Sequence, residues 1–288
     1  MANVAFIGLG VMGFPMAGHL TKAHKVTVYN RNPARAEAWV AKYGHASAPT
    51  PAAAAKGAEI VFVCVGDDPD LRAVITGKDG VLHGISSGAV IVDHTTASAN
   101  IARELSALCL ARGVGFIDAP VSGGQAGAEN GQLTVMCGGE AASYAKAEPV
   151  IASYAKMCKL IGESGAGQLT KMVNQICIAG AVQGLAEALN FGKRAGLDME
   201  AVLAVISKGA AQSWQMENRG KTMLAGKFDF GFATDWMRKD LRITMEEARR
   251  NGARLPAIAL IDQFYAEVQA QGHGRWDTSS LMSLLTDK

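Results

Sequence analysis

Three stretches of this chain hold residues whose types and spacing suit chemistry on a small molecule. The first is Gly8-Leu9-Gly10-Val11-Met12-Gly13. The apolar run Ala2-Asn3-Val4-Ala5-Phe6-Ile7 precedes it, and the helix-period segment Met16-Ala17-Gly18-His19-Leu20 follows. Strand, G-x-G-x-x-G and helix in that order form the dinucleotide-binding fingerprint. Gly8 allows the tight turn, Gly10 lets backbone approach a pyrophosphate, and Gly13 lets the helix sit close on the strand. The helix start turns its unpaired N–H groups towards the phosphates. About twenty residues on, the next strand, Val26-Thr27-Val28-Tyr29, ends in Asn30-Arg31-Asn32. An acidic residue there would read a free ribose. Two amides and a guanidinium suit a 2′-phosphate instead, so NADP(H) is expected to be preferred, with NAD(H) possible.

The second stretch runs from Asp118 to Gly131, after a strand-type run at Val114-Gly115-Phe116-Ile117. Ser122, Gly123 and Gly124 offer a hydroxyl and backbone N–H groups, a cradle for a small carboxylate; a glycine-rich turn reads the same way. The third is Gly165-Ala166-Gly167-Gln168-Leu169-Thr170-Lys171-Met172-Val173-Asn174-Gln175. Lys171, Asn174 and Gln175 stand at i, i+3 and i+4 on one face of an otherwise apolar helix. Buried there, they need partners; a lysine snorkelling from the first turns is the plainer alternative. Trp214, after the loop Gly209-Ala210-Ala211-Gln212-Ser213, is either core or pocket wall, and we place it with the substrate residues. Lys239-Asp240, taken alone, reads as a solvated pair, and Asp68 before Pro69 as a helix cap.

The elements that must position these residues change character along the chain. Up to residue 163, apolar strand-type runs (Ile60–Val65, Ala89–Val92, Val114–Ile117, Leu133–Cys137, Met157–Ile161) alternate with helical segments. That pattern predicts a parallel sheet covered on both faces, of Rossmann type. Asn32-Pro33 is the expected cap and first residue of a helix through Val40. From Gln168 to Arg194 one long helix is expected, then helices near 198–208, 236–250 and 256–271. The fold class is therefore α/β followed by an all-helical domain, joined by a long helix. The expected domains are 1–163 for dinucleotide binding and 164–288 for substrate and oligomer contacts.

Composition narrows the function class. With 288 residues, 49% of them hydrophobic, the chain is long enough for two cores. A net charge of +2 argues against nucleic acid, and acidic neighbours dilute the basic cluster from Arg238 to Arg254, read as a solvated helix face. No basic n-region precedes the first apolar run and no eighteen apolar residues run together, so no signal peptide and no membrane contact are expected. The five cysteines form no C-x-x-C pair and read as reduced, mostly buried thiols of a cytoplasmic protein. Histidines and acids do not fall at metal-ligand spacing, so no metal is expected.

Taken in order, the motifs resemble the β-hydroxyacid dehydrogenase family, which includes 3-hydroxyisobutyrate dehydrogenases and tartronate and succinic semialdehyde reductases. Gly8 to Ala17 is similar to that family's cofactor motif, and Asp118 to Gly124 to its substrate motif. Gly131-Gln132-Leu133-Thr134-Val135-Met136 is similar to the sequel, Gly165 to Asn174 to the catalytic motif, and Lys239-Asp240-Leu241 to a signature near the nicotinamide. The resemblance implies a hydride-transferring oxidoreductase acting on a small β-hydroxy acid or its semialdehyde. Lys171 would be general acid and base, and Ser122, Gly123, Gly124, Asn174 and Trp214 would meet the substrate. Leu9, Val11, Met12, Val65, Thr96 and Lys239 join the glycines and Asn30, Arg31 and Asn32 as cofactor residues. It also implies a homodimer or homotetramer. Two departures bear on the substrate. Asn174-Gln175 stands where 3-hydroxyisobutyrate dehydrogenases often have two asparagines, and Gly66-Asp67 replaces a more usual Leu-Pro pair. An imine reductase on the same scaffold usually lacks the lysine, and a non-catalytic dinucleotide-binding module would not keep the whole residue set.

Overall fold

The computed structural model describes residues 1–286. The chain divides into two compact units, Met1–Lys171 and a second from Met172 onward.

The first unit begins with β1 (Asn3–Ile7), α1 (Gly13–Leu20), β2 (Lys25–Tyr29), α2 (Pro33–Tyr43), β3 (Ala46–Ser47) and α3 (Pro51–Ala55). It continues through β4 (Ile60–Val63), α4 (Asp68–Thr76), β5 (Val90–Asp93), α5 (Ala99–Leu110) and β6 (Gly115–Asp118). Then come β7 (Val121–Ser122), α6 (Gly124–Glu129), β8 (Leu133–Gly139), α7 (Ala141–Ile151) and β9 (Ala155–Gly162). Strands β3-β2-β1-β4-β5-β6 pair in that order and all in parallel. The order runs outward in both directions from β1, and the carboxyl ends beside such a switch point are where ligands bind in open α/β sheets.

The centre of the sheet is buried on both faces because successive residues point to opposite sides. Val4, Phe6, Phe62 and Val92 join one core, and Ala5, Ile7, Val61, Val63 and Ile91 the other. Beyond β6 the sheet departs from the all-parallel expectation. β8 runs antiparallel to β6 and β7, and β9 pairs parallel to β8. The segment from Asp118 to Leu133 holds only the two-residue strand β7 and the short helix α6, and it returns the chain beside β6. No crossover of the kind that parallel pairing requires intervenes.

Local signals account for several helix starts. Asn32 caps α2 by accepting from the Ala34 N–H at 3.1 Å, with Pro33 next. At α4 the expectation needs correction: Asp67 is the cap, and Asp68 reaches to α5. Its carboxylate accepts from the Ser98 N–H at 2.8 Å and from the Ser98 hydroxyl at 2.6 Å.

His94, buried at the end of β5, lies flat on Phe62. Its Nδ1 is 2.6 Å from the Ala119 carbonyl, which only accepts, so Nδ1 carries the proton and Nε2 accepts from the Tyr154 hydroxyl at 2.7 Å. Burial pushes His94 down to about 4. A lowered value means stability that is present above the free value near 6.5 and lost as pH falls through 4. Asp93 runs the other way, because burial raises it to about 7. Comparing wild type with His94→Phe cancels the Asp93 contribution. The stability advantage of wild type in urea unfolding should shrink by about 3 kcal/mol between pH 6.5 and 4. A pH-independent difference would show that His94 is not held neutral.

The second unit is helical. The long helix α8 (Ala166–Arg194) enters it and is followed by α9 (Met199–Ile206), α10 (Trp214–Leu224), α11 (Thr234–Asn251) and α12 (Pro256–Ala270). A 3-10 segment, Thr278–Leu284, follows these helices. Ala179, Val182, Ala186 and Leu189 of α8 pack with Met237, Leu241, Tyr265 and Leu281. By length and composition α8 is apolar enough to cross a membrane, but its buried stripe forms this core. Helix α10 was not expected from sequence: its residues are mostly polar, and Ser213 starts it by accepting from the Met216 N–H. Part of the basic cluster has acidic partners close by. Arg238 pairs with Asp262, Arg242 with Glu246 and Arg250 with Glu247. Only Cys109 and Cys137 of the five thiols are buried, fewer than expected.

Candidate active site

The glycine loop joins β1 to α1 and is held by the end of β2. The Gly8 N–H donates to the Tyr29 carbonyl at 2.8 Å, and the Leu9 N–H to Asn30 Oδ1 at 2.9 Å. Asn30 Nδ2 donates to the Asn32 carbonyl at 3.0 Å. The side chains of Asn30 and Asn32 are thus engaged in setting the loop and capping α2. A Cβ on Gly8 would strike the Cys64 carbonyl, and one on Gly13 the Gly8 carbonyl, so strand and helix could not close on each other. A Cβ on Gly10 would meet nothing within 4 Å. That open space over the loop, facing the start of α1, is what a dinucleotide pyrophosphate needs, so the residues fit the cofactor. Val11 is exposed and Met12 half-buried in the same loop.

Arg31 lies 87% exposed, with its guanidinium 3.1 Å from Asp70. Arg35, which sequence reasoning passed over, anchors through Nε to the Leu9 carbonyl at 2.9 Å. Its guanidinium stands over Phe14, as does the Lys42 ammonium. These residues flank a groove of about 220 Å³ that Gly10 and Val11 also line. The signal was present in sequence as a second guanidinium one helical turn after Arg31.

Further along the same carboxyl edge lie the ends of β4, β5 and β6. The Val65 N–H donates to Thr95 Oγ1 at 3.0 Å, fixing the β4 loop to the β5 loop. Thr96 follows, half-buried, between two residues held by one side chain. Gln168 Nε2 donates to the Thr95 carbonyl at 2.7 Å, and Gln168 Oε1 accepts from the Ala97 N–H at 3.0 Å. After β6, Ser122 is half-buried on β7 while Gly123 and Gly124 are exposed. Gly123 has φ +130° and Gly124 φ +63°, backbone that favours glycine.

Lys171 is carried on the second turn of α8 and is 7% exposed. A snorkelling lysine would keep its ammonium in water. This one is buried.

In the helical unit the two amides of the same stripe have definite partners. Asn174 Nδ2 donates to Gln175 Oε1 at 2.8 Å, and Gln175 Nε2 donates to Asp240 Oδ2 at 2.7 Å. The other Asp240 oxygen lies 3.2 Å from Lys239 Nζ. Lys239-Asp240 is therefore not a solvated pair, since the Asp240 side chain is 1% exposed and that of Lys239 13%. Trp214 falls outside this network. It is 48% exposed, and its ring stacks on the Arg219 guanidinium, which in turn pairs with buried Asp277 at 3.0 Å. Trp214 is thus no core residue.

Known proteins match this arrangement from end to end. Residues 3–162 match the family model for the NAD binding domain of 6-phosphogluconate dehydrogenase. Residues 165–285 match the model for the NAD-binding segment of NADP-dependent 3-hydroxyisobutyrate dehydrogenase. A Shewanella frigidimarina protein described as an uncharacterised oxidoreductase is 64% identical, over 99% of this chain and 98% of its own. The 2-hydroxy-3-oxopropionate reductase of Escherichia coli is 32% identical, over 98% of this chain and 97% of its own. Among solved structures, Mycobacterium tuberculosis 3-hydroxyisobutyrate dehydrogenase with L-serine superposes with a TM-score of 0.90 at 29% identity, covering 100% of both chains. With the cofactor loop, the lysine helix and the helical unit matched in one order over nearly the full length, the chain belongs to the β-hydroxyacid dehydrogenase family of NAD(P)-dependent oxidoreductases.

Proposed function

We propose that this enzyme is an NADP(H)-preferring reductase or dehydrogenase of a small β-hydroxy acid or its semialdehyde, with Lys171 as the proton-transferring residue. One observation carries the reading. Lys171 is a buried lysine on a helix whose first turn is fastened to the sheet edge that holds the glycine loop, Thr96 and Ser122. The bound nicotinamide supplies or accepts the hydride. As negative charge develops on the substrate oxygen, the Lys171 ammonium stabilises it and delivers the proton; in the oxidative direction the neutral amine takes the proton back. Ser122 with the Gly123 and Gly124 amides anchors the substrate carboxylate and so sets its distance to the reacting carbon. Asn174 holds the substrate oxygen, and its amide is oriented for this by the bond to Gln175. Val65, Thr96 and Lys239 contact the cofactor, and Trp214 contacts the substrate. In this reading residues 1–163 serve the cofactor and 164–288 the substrate and the oligomer. The exposed Val173 and Phe191 on α8 support burial against a second copy in a cytoplasmic homodimer or homotetramer.

The test is a kcat/KM panel over glyoxylate, succinic, tartronate and methylmalonate semialdehydes and 3-hydroxyisobutyrate, with both cofactors, in wild type and Ser122→Ala. These substrates differ by a few atoms, so discrimination of about 10- to 200-fold between neighbours is expected. Ser122→Ala should raise KM for the acid several-fold and keep most of kcat, because the glycine amides remain. Turnover with no member of the panel would sink the substrate class. A collapse of kcat at constant KM would move Ser122 into the proton-transfer step.

A further inference from the structure

Asp118 ends β6 fully buried, yet the reaction outlined above gives it nothing to do. Its carboxylate is committed to the start of α8. Oδ1 accepts from the Gly165 N–H at 2.7 Å and Oδ2 from the Gln168 N–H at 2.9 Å. The first N–H groups of a helix have no partner within it, and a negative charge is favoured at that end. Helices usually solve this with a side chain next to their own first turn, as Asn32, Asp198 and Ser213 do here. In α8 the cap comes from a strand 47 residues back in the chain. It therefore fixes where the helix starts relative to the sheet edge, which a local cap cannot do.

Two further features tighten that tie. A Cβ on Gly167 would strike the carbonyls of Asp118 and Met136, and one on Gly138 would stand 2.7 Å from both Asp118 Oδ1 and the Gly167 N. With neither Cβ present, strand and helix backbones meet directly through the carboxylate. Gln168, whose N–H the carboxylate accepts, spends both ends of its own side chain on Thr95 and Ala97, the residues on either side of Thr96. Lys171 follows Gln168 by three residues, one turn on along the same face. Burial raises Asp118 to about 6 although four backbone N–H groups oppose the shift, so near neutrality the anion is the form that accepts both bonds.

We propose that Asp118 is a positioning residue for Lys171, setting the axial position and rotation of the first turn of α8 against the loop that carries Thr96. This rests on the reading of Lys171 as the proton-transferring group. Displacement of a reacting group by about 1 Å can cost on the order of 100-fold in rate. Asp118→Asn keeps the shape but turns one acceptor into a donor that faces an N–H, so it should lower kcat about 10- to 100-fold. KM for NADPH and the NADPH Kd, read by nicotinamide fluorescence, should stay within about two-fold.

The decisive arm is the cycle of Asp118→Asn, Lys171→Met and the double variant, assayed with the best aldehyde of the panel. If Asp118 acts through Lys171, adding Asp118→Asn to Lys171→Met costs little further turnover. Independent, multiplicative losses overturn the proposal, as does wild-type kcat in a folded Asp118→Asn protein with lowered Tm. Near-normal turnover in Lys171→Met alone would instead remove the lysine reading, and the two failures are thus told apart. Gln168→Met, which keeps volume and loses both clasps on the Thr96 loop, should reproduce the kcat loss if Asp118→Asn does not fold. Gln168→Met with wild-type kcat overturns the proposal in that case.

Discussion

Lys171→Met is expected to lower kcat at least about 100-fold while the protein folds and binds NADPH as before. Methionine matches the lysine stem in length and keeps the apolar contacts of α8, so the substitution removes the charge and the proton and little else. General acid–base catalysis by a positioned side chain contributes about 10²–10⁴-fold, and loss of stabilisation of the developing oxyanion adds to it. The fold argues that the loss will not be made up from elsewhere. Lys239 Nζ is engaged by Asp240, whose other oxygen is held by Gln175. An ammonium so engaged is a poor substitute donor. Turnover is read from reduced-nicotinamide absorbance, and folding from Tm and NADPH fluorescence. Near-normal turnover would return Lys171 to the role of a helix residue.

The residues that sequence made legible are those whose function is local in the chain. Strand, glycines and helix follow one another within twenty residues, so Gly8, Gly10 and Gly13 could be assigned from spacing alone, and the structure finds each needed where backbones approach or where space must stay open. The buried strands β1, β4 and β5 were equally plain as continuous apolar runs. Lys171 and Asn174 were read onto one face by helical period. What stayed hidden depends on partners distant in sequence. Gln175 meets Asp240 across 65 residues, and that bond turns Lys239-Asp240 from an apparent surface pair into a buried one. The Asp118 cap on α8 spans 47 residues, and nothing in the order Asp118-Ala119-Pro120 announces it. The antiparallel return of β8 was missed for the same reason. A strand-type run such as Leu133–Cys137 does not say in which direction its neighbour runs.

Arg31→Ala is expected to lower kcat/KM for NADPH about 10- to 100-fold and to change the NADH value by less than about three-fold. The guanidinium stands at the end of β2, where the ribose of a dinucleotide is read. Its present partner, Asp70, holds it through an exposed ion pair, and such pairs contribute at most about 1 kcal/mol. A 2′-phosphate brings a larger charge and several acceptor oxygens, and charge-assisted bonds from one arginine are worth about 1.5–3 kcal/mol. That bond energy sets the expected factor, since each 1.4 kcal/mol is about tenfold. The side chains of Asn30 and Asn32 already bond the loop and the helix cap, so the arginines are expected to carry the larger share of any 2′-phosphate binding. Arg35, fixed through Nε to the Leu9 carbonyl, lines the groove beside Gly10 and Val11 and should add a smaller share, so Arg31→Ala/Arg35→Ala should lose more than either alone. Asp70→Ala supplies the opposite sign: with its competitor removed, Arg31 is released and KM for NADPH should fall. The preference for NADP(H) is wrong if wild type already favours NADH, or if Arg31→Ala weakens both cofactors alike, because a 2′-phosphate is the one group that distinguishes them.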